Sequence, residues 1–138
     1  MTTPTIKPFR LIIAGSRELN LSAPELAKVS RWLDHMTQNK PSLEVVSGCA
    51  RGADKLGEAW AQDRGHQVVH FPAYWKAEGR SAGYKRNVRM ASYANALIAI
   101  WDGKSKGTKH MIDIAIEKKL EHRVLNLTKV FSTTQEVA

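Results

Sequence analysis

Residues 98–115 read I-A-I-W-D-G-K-S-K-G-T-K-H-M-I-D-I-A. An apolar run ends at Trp101, a polar loop carries Gly103 and Gly107 with Lys104 and Lys106, and apolar residues then resume at helical spacing. A buried strand that turns through glycines into a helix is one half of a βαβ unit, the building block of parallel sheets. The usual reason for such a loop is a phosphate. Helix-opening N–H groups are unpaired and sit at the positive end of the helix dipole, so they favour an anion. Ser105 and Thr108 add hydroxyls, and Lys104 and Lys106 add charge. The plainer reading is an ordinary turn with Thr108 as N-cap.

Working outward, the same alternation recurs along the chain. Phe9–Ala14 reads as a strand ending at Gly15. Ser22 and Glu25 make a capping box ahead of Leu26, Val29, Leu33 and Met36, spaced as a helix. Residues 43–47 predict a second strand, and Ala53–Arg64 a helix stopped by Gly65. His66–Phe71 predicts a third strand, ended by Pro72. Residues 82–93 predict a helix with Val88, Met90 and Ala91 on its buried side, and Ala96–Trp101 a fourth strand. Thr108–Lys119 predicts the next helix and Arg123–Leu127 a fifth strand. Trp32 and Trp60 fall at core positions of their helices, whereas Trp75 and Trp101 stand at strand exits, where a base could stack. The pattern specifies an α/β fold: a single Rossmann-like three-layer domain with a five-stranded, mainly parallel sheet. It runs over residues 9–128, with tails at 1–8 and 129–138.

A chain of 138 residues suits one domain that buries roughly two-thirds of its unfolded surface. Its 43% hydrophobic and 25% charged residues are those of a globular protein. No run approaches the ~18 apolar residues of a membrane span, and the N-terminal residues lack a signal peptide's apolar core. A cytoplasmic location without membrane contact is expected. One cysteine, Cys49, excludes an intramolecular disulfide and a cysteine-based metal cluster. The histidines, at 35, 66, 70, 110 and 122, show no ligand-like grouping, so no metal is expected. A net charge of +8 points toward anionic partners.

Open α/β sheets bind ligands beyond the carboxyl ends of their strands, and three glycine-bearing polar loops fall there. Gly15-Ser16-Arg17 follows the first strand. S-G-C-A-R-G-A-D, residues 47–54, follows the second. There Ser47, Gly48 and Gly52 shape a slim turn, Arg51 could clamp a phosphate or carboxylate, and Asp54 could accept ribose hydroxyls or merely pair with Arg51. Cys49 reads as a packed residue, with no histidine partner evident in the sequence. G-R-S-A-G-Y-K-R-N-V-R-M, residues 79–90, interleaves Arg80, Lys85, Arg86 and Arg89 with Tyr84, downstream of Trp75, a composition suited to phosphate contact and base stacking. Arg86 and Asn87 could be aimed at the loop after strand four. Neither a Walker A loop nor G-x-G-x-x-G is present, which argues against P-loop NTPases and ordinary dinucleotide dehydrogenases.

Taken together, A-G-S-R (14–17), V-V-S-G-C-A-R-G-A-D (45–54), F-P-A-Y-W (71–75), A-G-Y-K-R-N-V-R-M (82–90) and W-D-G-K-S-K-G-T-K-H-M-I (101–112) resemble the SLOG superfamily. Within it they are most similar to the YspA, or cpYpsA-related, family of small bacterial and phage proteins. The resemblance covers about residues 9–127 and implies binding of nucleotides or nucleotide-derived ligands, with a homodimer or higher homo-oligomer as the assembly. The LOG branch hydrolyses nucleoside 5′-monophosphates using an Arg in M-x-x-R-K-x-x-M and the Glu of G-T-x-x-E. Arg86 and Met90 match the first motif with Asn87 in place of Lys, but the Glu position is Met111, which cannot act as a carboxylate would. The DprA branch shares V-V-S-G-x-A-R-G and implies single-stranded nucleic-acid binding. The expectation is therefore a mononucleotide or ADP-ribose-like ligand, sensed or sequestered. It would be held by Gly15, Ser16, Arg17, Ser47, Gly48, Arg51, Gly52, Asp54, Trp75, Tyr84, Arg86, Asn87 and the loop Gly103, Lys104, Ser105, Lys106, Gly107 and Thr108, with no catalytic residue assigned. A LOG-like N-glycosidase and a DprA-like nucleic-acid binder are the alternatives.

Overall fold

A computed structural model describes residues 7–128. The tails expected at 1–8 and 129–138 lie outside that range, residues 7 and 8 excepted. Five strands, β1 (Phe9–Gly15), β2 (Leu43–Ser47), β3 (Gln67–His70), β4 (Ala96–Trp101) and β5 (Glu121–Asn126), form one all-parallel sheet in the order β3-β2-β1-β4-β5. The helices are α1 (Ala23–Thr37), α2 (Ala53–Asp63), α3 (Trp75–Glu78), α4 (Ala82–Tyr93) and α5 (Lys106–Glu117), with a 3-10 turn at Gly79–Ser81.

The central strand β1 has a strand on either side and helices above and below, which is why it reads as a continuous apolar run. Leu11 and Ile13 face a cluster with Val29 and Leu33 of α1 and Ala53, Trp60 and Ala61 of α2. Ile12 and Ala14 face the opposite cluster, with Met90 and Ala91 of α4 and Met111, Ile112 and Ala115 of α5. Fully buried side chains such as Leu33 each contribute roughly 1.5–3 kcal/mol of transfer free energy. The Ser22–Glu25 capping box is formed in both directions and sets the start of α1.

Strand and helix bounds agree with the sequence reading to within two residues, with three corrections. The chain between Trp75 and Ser81 is helical, too short a segment to show a period. Val88 is exposed rather than buried, while Met90 and Ala91 do face the core. The helix after β4 begins two residues early because Ser105, and not Thr108, is its N-cap.

The chain winds outward from β1 to β3, then crosses to the far side of β1 to build β4 and β5. The carboxyl ends of β1 and β4 therefore flank the point where the winding reverses, and a crevice opens at such a point.

Candidate functional site

Ser16 fastens the loops around this crevice. It is buried, its N–H donates to the Ile100 carbonyl at 3.0 Å, and its carbonyl accepts from the Ala53 N–H at 3.0 Å. Its hydroxyl accepts from the Asp102 N–H at 2.9 Å. One serine thus joins the exits of β1 and β4 to the start of α2. Gly52 completes the junction in a left-handed conformation, φ 79°, where an added Cβ would lie 2.3 Å from the Ser16 carbonyl oxygen. Only glycine fits there.

The loop after β4 is shaped by Asp102, whose Oδ1 accepts from the N–H groups of Lys104 at 2.8 Å and Ser105 at 2.9 Å. Trp101 Nε1 donates to the Ser105 carbonyl at 3.1 Å, so the Trp101 indole holds the loop rather than standing free for a base. The Ser105 hydroxyl then caps the N–H of Thr108. Among the described residues the N–H groups of Lys106 and Gly107, which open α5, have no protein acceptor. These are the donors that an anion takes at a helix N-terminus.

Helix α4 supplies the opposite wall. Arg86 is buried, donates through Nη1 to the Gly48 carbonyl and through Nε to Asn87 Oδ1 at 3.1 Å. Nη2 has no protein acceptor among the described residues. Asn87 Nδ2 donates to the Gly107 carbonyl at 3.3 Å and lies 3.1 Å from His110 Nδ1. The sequence expectation that this pair reaches the loop after β4 is met by Asn87, whereas Arg86 reaches the loop after β2. A Cβ at Gly48 would stand 2.7 Å from Arg86 Nη1 and 2.9 Å from Asp54 Oδ2, so glycine there is what lets the guanidinium in.

Between these walls lies a cavity of about 360 Å³, lined among others by Gly15, Arg17, Asp54, Trp75, Tyr84, Arg86, Asn87, Ser105, Gly107 and Thr108. Met90 and Met111 contribute an apolar surface, and Arg80 and Gly83 join the rim. The sequence marks Arg80 as one of the basic residues of segment 79–90 without placing it at the site. Its approach depends on the helical turn that periodicity could not reveal. Arg17 and Arg80 form no ion pair among the described residues. Burial pushes the Asp54 carboxyl up to about 6, against the opposing hydrogen bond from the Ala50 N–H and the positive charge of Arg86. Tyr84 packs edge-on against His110, centroids 4.4 Å apart, and Trp75 is half exposed.

Other expected site residues do not line this cavity. Ser16 and Ser47 are buried and bonded internally, and Gly52 and Gly103 pack against Ser16 and Asn126. Lys104 and Lys106 are exposed outside it. Arg51 does not pair with Asp54; its guanidinium meets Glu18, with Nε 3.2 Å from Glu18 Oε1. Gly48 and Arg51 instead border a second cavity of about 370 Å³, which shares Arg17, Trp75 and Arg86 with the first. Cys49, in a left-handed conformation at φ 68°, does have a histidine beside it: Sγ lies 3.6 Å from His70 Nδ1. Burial and the nearby charge of Glu58 push this thiol's pKa up, opposite to what a nucleophilic thiolate needs. Parallel pairing of Ser47 with His70 brings the two loops together, a register the sequence does not display.

No helix among the described residues is long and apolar enough to cross a membrane. The gene 61 protein of Mycobacterium phage D29 is 35% identical over 110 residues, covering 73% of this chain and 83% of that one. The X-ray structure of DNA processing protein A (DprA) from Streptococcus pneumoniae is similar with a TM-score of 0.65 at 18% identity, over 85% of this chain. This chain spans half the length of that DprA chain, and at such identity the likeness is one of fold. The model of the YspA, cpYpsA-related SLOG family matches residues 9–77, which include the Ser16 junction, the Gly48–Gly52 turn and Trp75. The chain belongs to the YspA, cpYpsA-related SLOG family.

Proposed function

We propose that the protein binds a mononucleotide or ADP-ribose-like ligand across the exits of β1 and β4 and thereby senses or sequesters a nucleotide signal. The observation that carries this reading is convergence on one cavity. The unpartnered N–H group of Gly107, Arg86 Nη2 and the unpaired guanidinium groups of Arg17 and Arg80 belong to residues that line the same cavity, and the unpartnered N–H group of Lys106 adjoins it at the start of α5. Such donors suit a phosphate, and fork-like guanidinium groups suit it better than lysines. The volume is in the range of small-ligand pockets, roughly 300–1,000 Å³. Trp75 and Tyr84 offer aromatic surface to a base, and the Asp54 carboxyl in the same cavity would accept from ribose hydroxyls.

A second reading is favoured by one group. A carboxyl near pKa 6 at Asp54 can hold or release a proton at neutral pH, as a general acid or base must. That supports nucleoside 5′-monophosphate N-glycosidase chemistry with Asp54 in place of the carboxylate missing at Met111. Release of free base from a nucleoside monophosphate, lost in Asp54→Asn, tests it.

Melting curves with AMP, GMP, ATP, NAD, ADP-ribose and a short single-stranded oligonucleotide test the primary reading. A ligand at ~100 times its dissociation constant adds about 2.7 kcal/mol and raises the melting point by several degrees. A shift with one small nucleotide supports the pocket. A shift with the oligonucleotide alone, falling steeply with salt, replaces it with nucleic-acid binding.

A further inference from the structure

We propose that Cys49, Glu58 and His70 form a binding site for zinc or another borderline-soft divalent cation. Their donor atoms all lie within 4.8 Å of one another. Cys49 Sγ is 3.6 Å from His70 Nδ1, and His70 Nδ1 is 3.8 Å from Glu58 Oε2. Tetrahedral zinc with its ordinary bond lengths to sulfur, nitrogen and oxygen sets its ligand atoms roughly 3.4–3.6 Å apart. The trio is thus close to the spacing a cation imposes, and small side-chain adjustments complete it.

The three residues come from different elements: the turn after β2, helix α2 and the end of β3. The left-handed backbone at Cys49 is a conformation that non-glycine residues adopt sparingly; here it accompanies a thiol facing the neighbouring strand's histidine. Glu58 is held from behind. Ser47 Oγ donates to its Oε2 at 2.5 Å while accepting from the Cys49 N–H at 3.1 Å, so one buried serine orients the carboxylate, as outer-shell groups do at metal sites, and fixes the backbone that carries the thiol. Lys55 Nζ lies 3.4 Å from the other oxygen, Oε1, and is exposed; Oε2, beside the hydrogen bond it accepts from Ser47, keeps a second lone pair for a metal. A thiolate, a carboxylate and a neutral imidazole together carry the two negative charges that match a divalent cation. The thiol proton leaves to solvent on binding. Three protein donors leave a position for water, and Cys49 also lines the 370 Å³ cavity.

The single cysteine makes cobalt(II) titration of the reduced protein diagnostic. The expected result is a thiolate-to-cobalt charge-transfer band that saturates at one cobalt per chain, is bleached by zinc and is absent in Cys49→Ser. His70→Ala, at an exposed position, keeps the melting curve of the metal-free protein but weakens binding by about 100-fold or more. Ser47→Ala weakens it by about 10–100-fold. No band on adding cobalt, or a band of unchanged affinity in His70→Ala, overturns the site and leaves a hydrogen-bonded cysteine–histidine contact. Nucleotide binding is not part of this readout.

Discussion

Arg86 on α4 donates through Nη1 to the carbonyl of Gly48 at the exit of β2, so the outer wall of the crevice is fastened to the loop after β2 by one buried guanidinium. Arg86→Ala leaves the Gly48 carbonyl and Asn87 Oδ1 without that donor. It is expected to cost about 1–3 kcal/mol in urea unfolding. Arg86→Lys recovers only part of this, because one ammonium cannot reproduce the fork. Wild-type stability in both variants would show that the guanidinium does not hold the turn.

Gly107 separates folding from binding. A Cβ there meets no atom within 4 Å, so the fold accepts Gly107→Ala, and the helix gains about 0.5–1 kcal/mol from reduced backbone freedom. The methyl group would occupy space beside the anion donors. Melting temperature is expected to hold or rise while nucleotide affinity, read by calorimetric titration, falls about tenfold or more. Unchanged affinity would remove Gly107 from the site.

The raised carboxyl of Asp54 makes stability depend on acidity. Its folded pKa of about 6 lies above the unfolded value of 3.8, so the folded state binds this proton more tightly. That contribution is complete below about pH 4 and is lost as pH rises through about 6, at a cost approaching 3 kcal/mol. Asp54→Asn removes the titration. Denaturant midpoints measured from acid to neutral pH are expected to converge at the acid end, with the variant ahead at neutrality; parallel curves would contradict the assignment.

Trp75 tests the base-stacking wall. It is 52% exposed, so Trp75→Ala should leave stability within about 0.5 kcal/mol. Loss of a stacked base costs about 1–3 kcal/mol of binding. Nucleotide addition should also quench tryptophan fluorescence in the parent and not in this variant. Equal affinities would place the base elsewhere.

Much of this architecture was legible because its determinants are local. The Ser22–Glu25 box, the glycine that ends β1 and the apolar strands each carry a short-range signal, and together they imply the parallel sheet. The loops at the strand exits were legible for the same reason. What the sequence concealed depends on register and on which way a side chain turns. Ser16 looks like a ligand-binding serine until its hydroxyl is seen to accept from Asp102. Arg51 looks like a phosphate clamp beside Asp54, yet it meets Glu18, 33 residues earlier. His70 joins Cys49 only because β3 pairs with β2 at Ser47.

The proposed function requires that a phosphate rest on the opening turn of α5. Backbone amide NMR during titration with the nucleotide that stabilises the protein most tests it directly. Saturable shifts centred on the Lys106 and Gly107 amides and on the Arg86 guanidinium are expected, and they are absent in Gly107→Asp. Saturation that leaves these signals unmoved, or shifts spread over the basic surface away from the crevice, would contradict it.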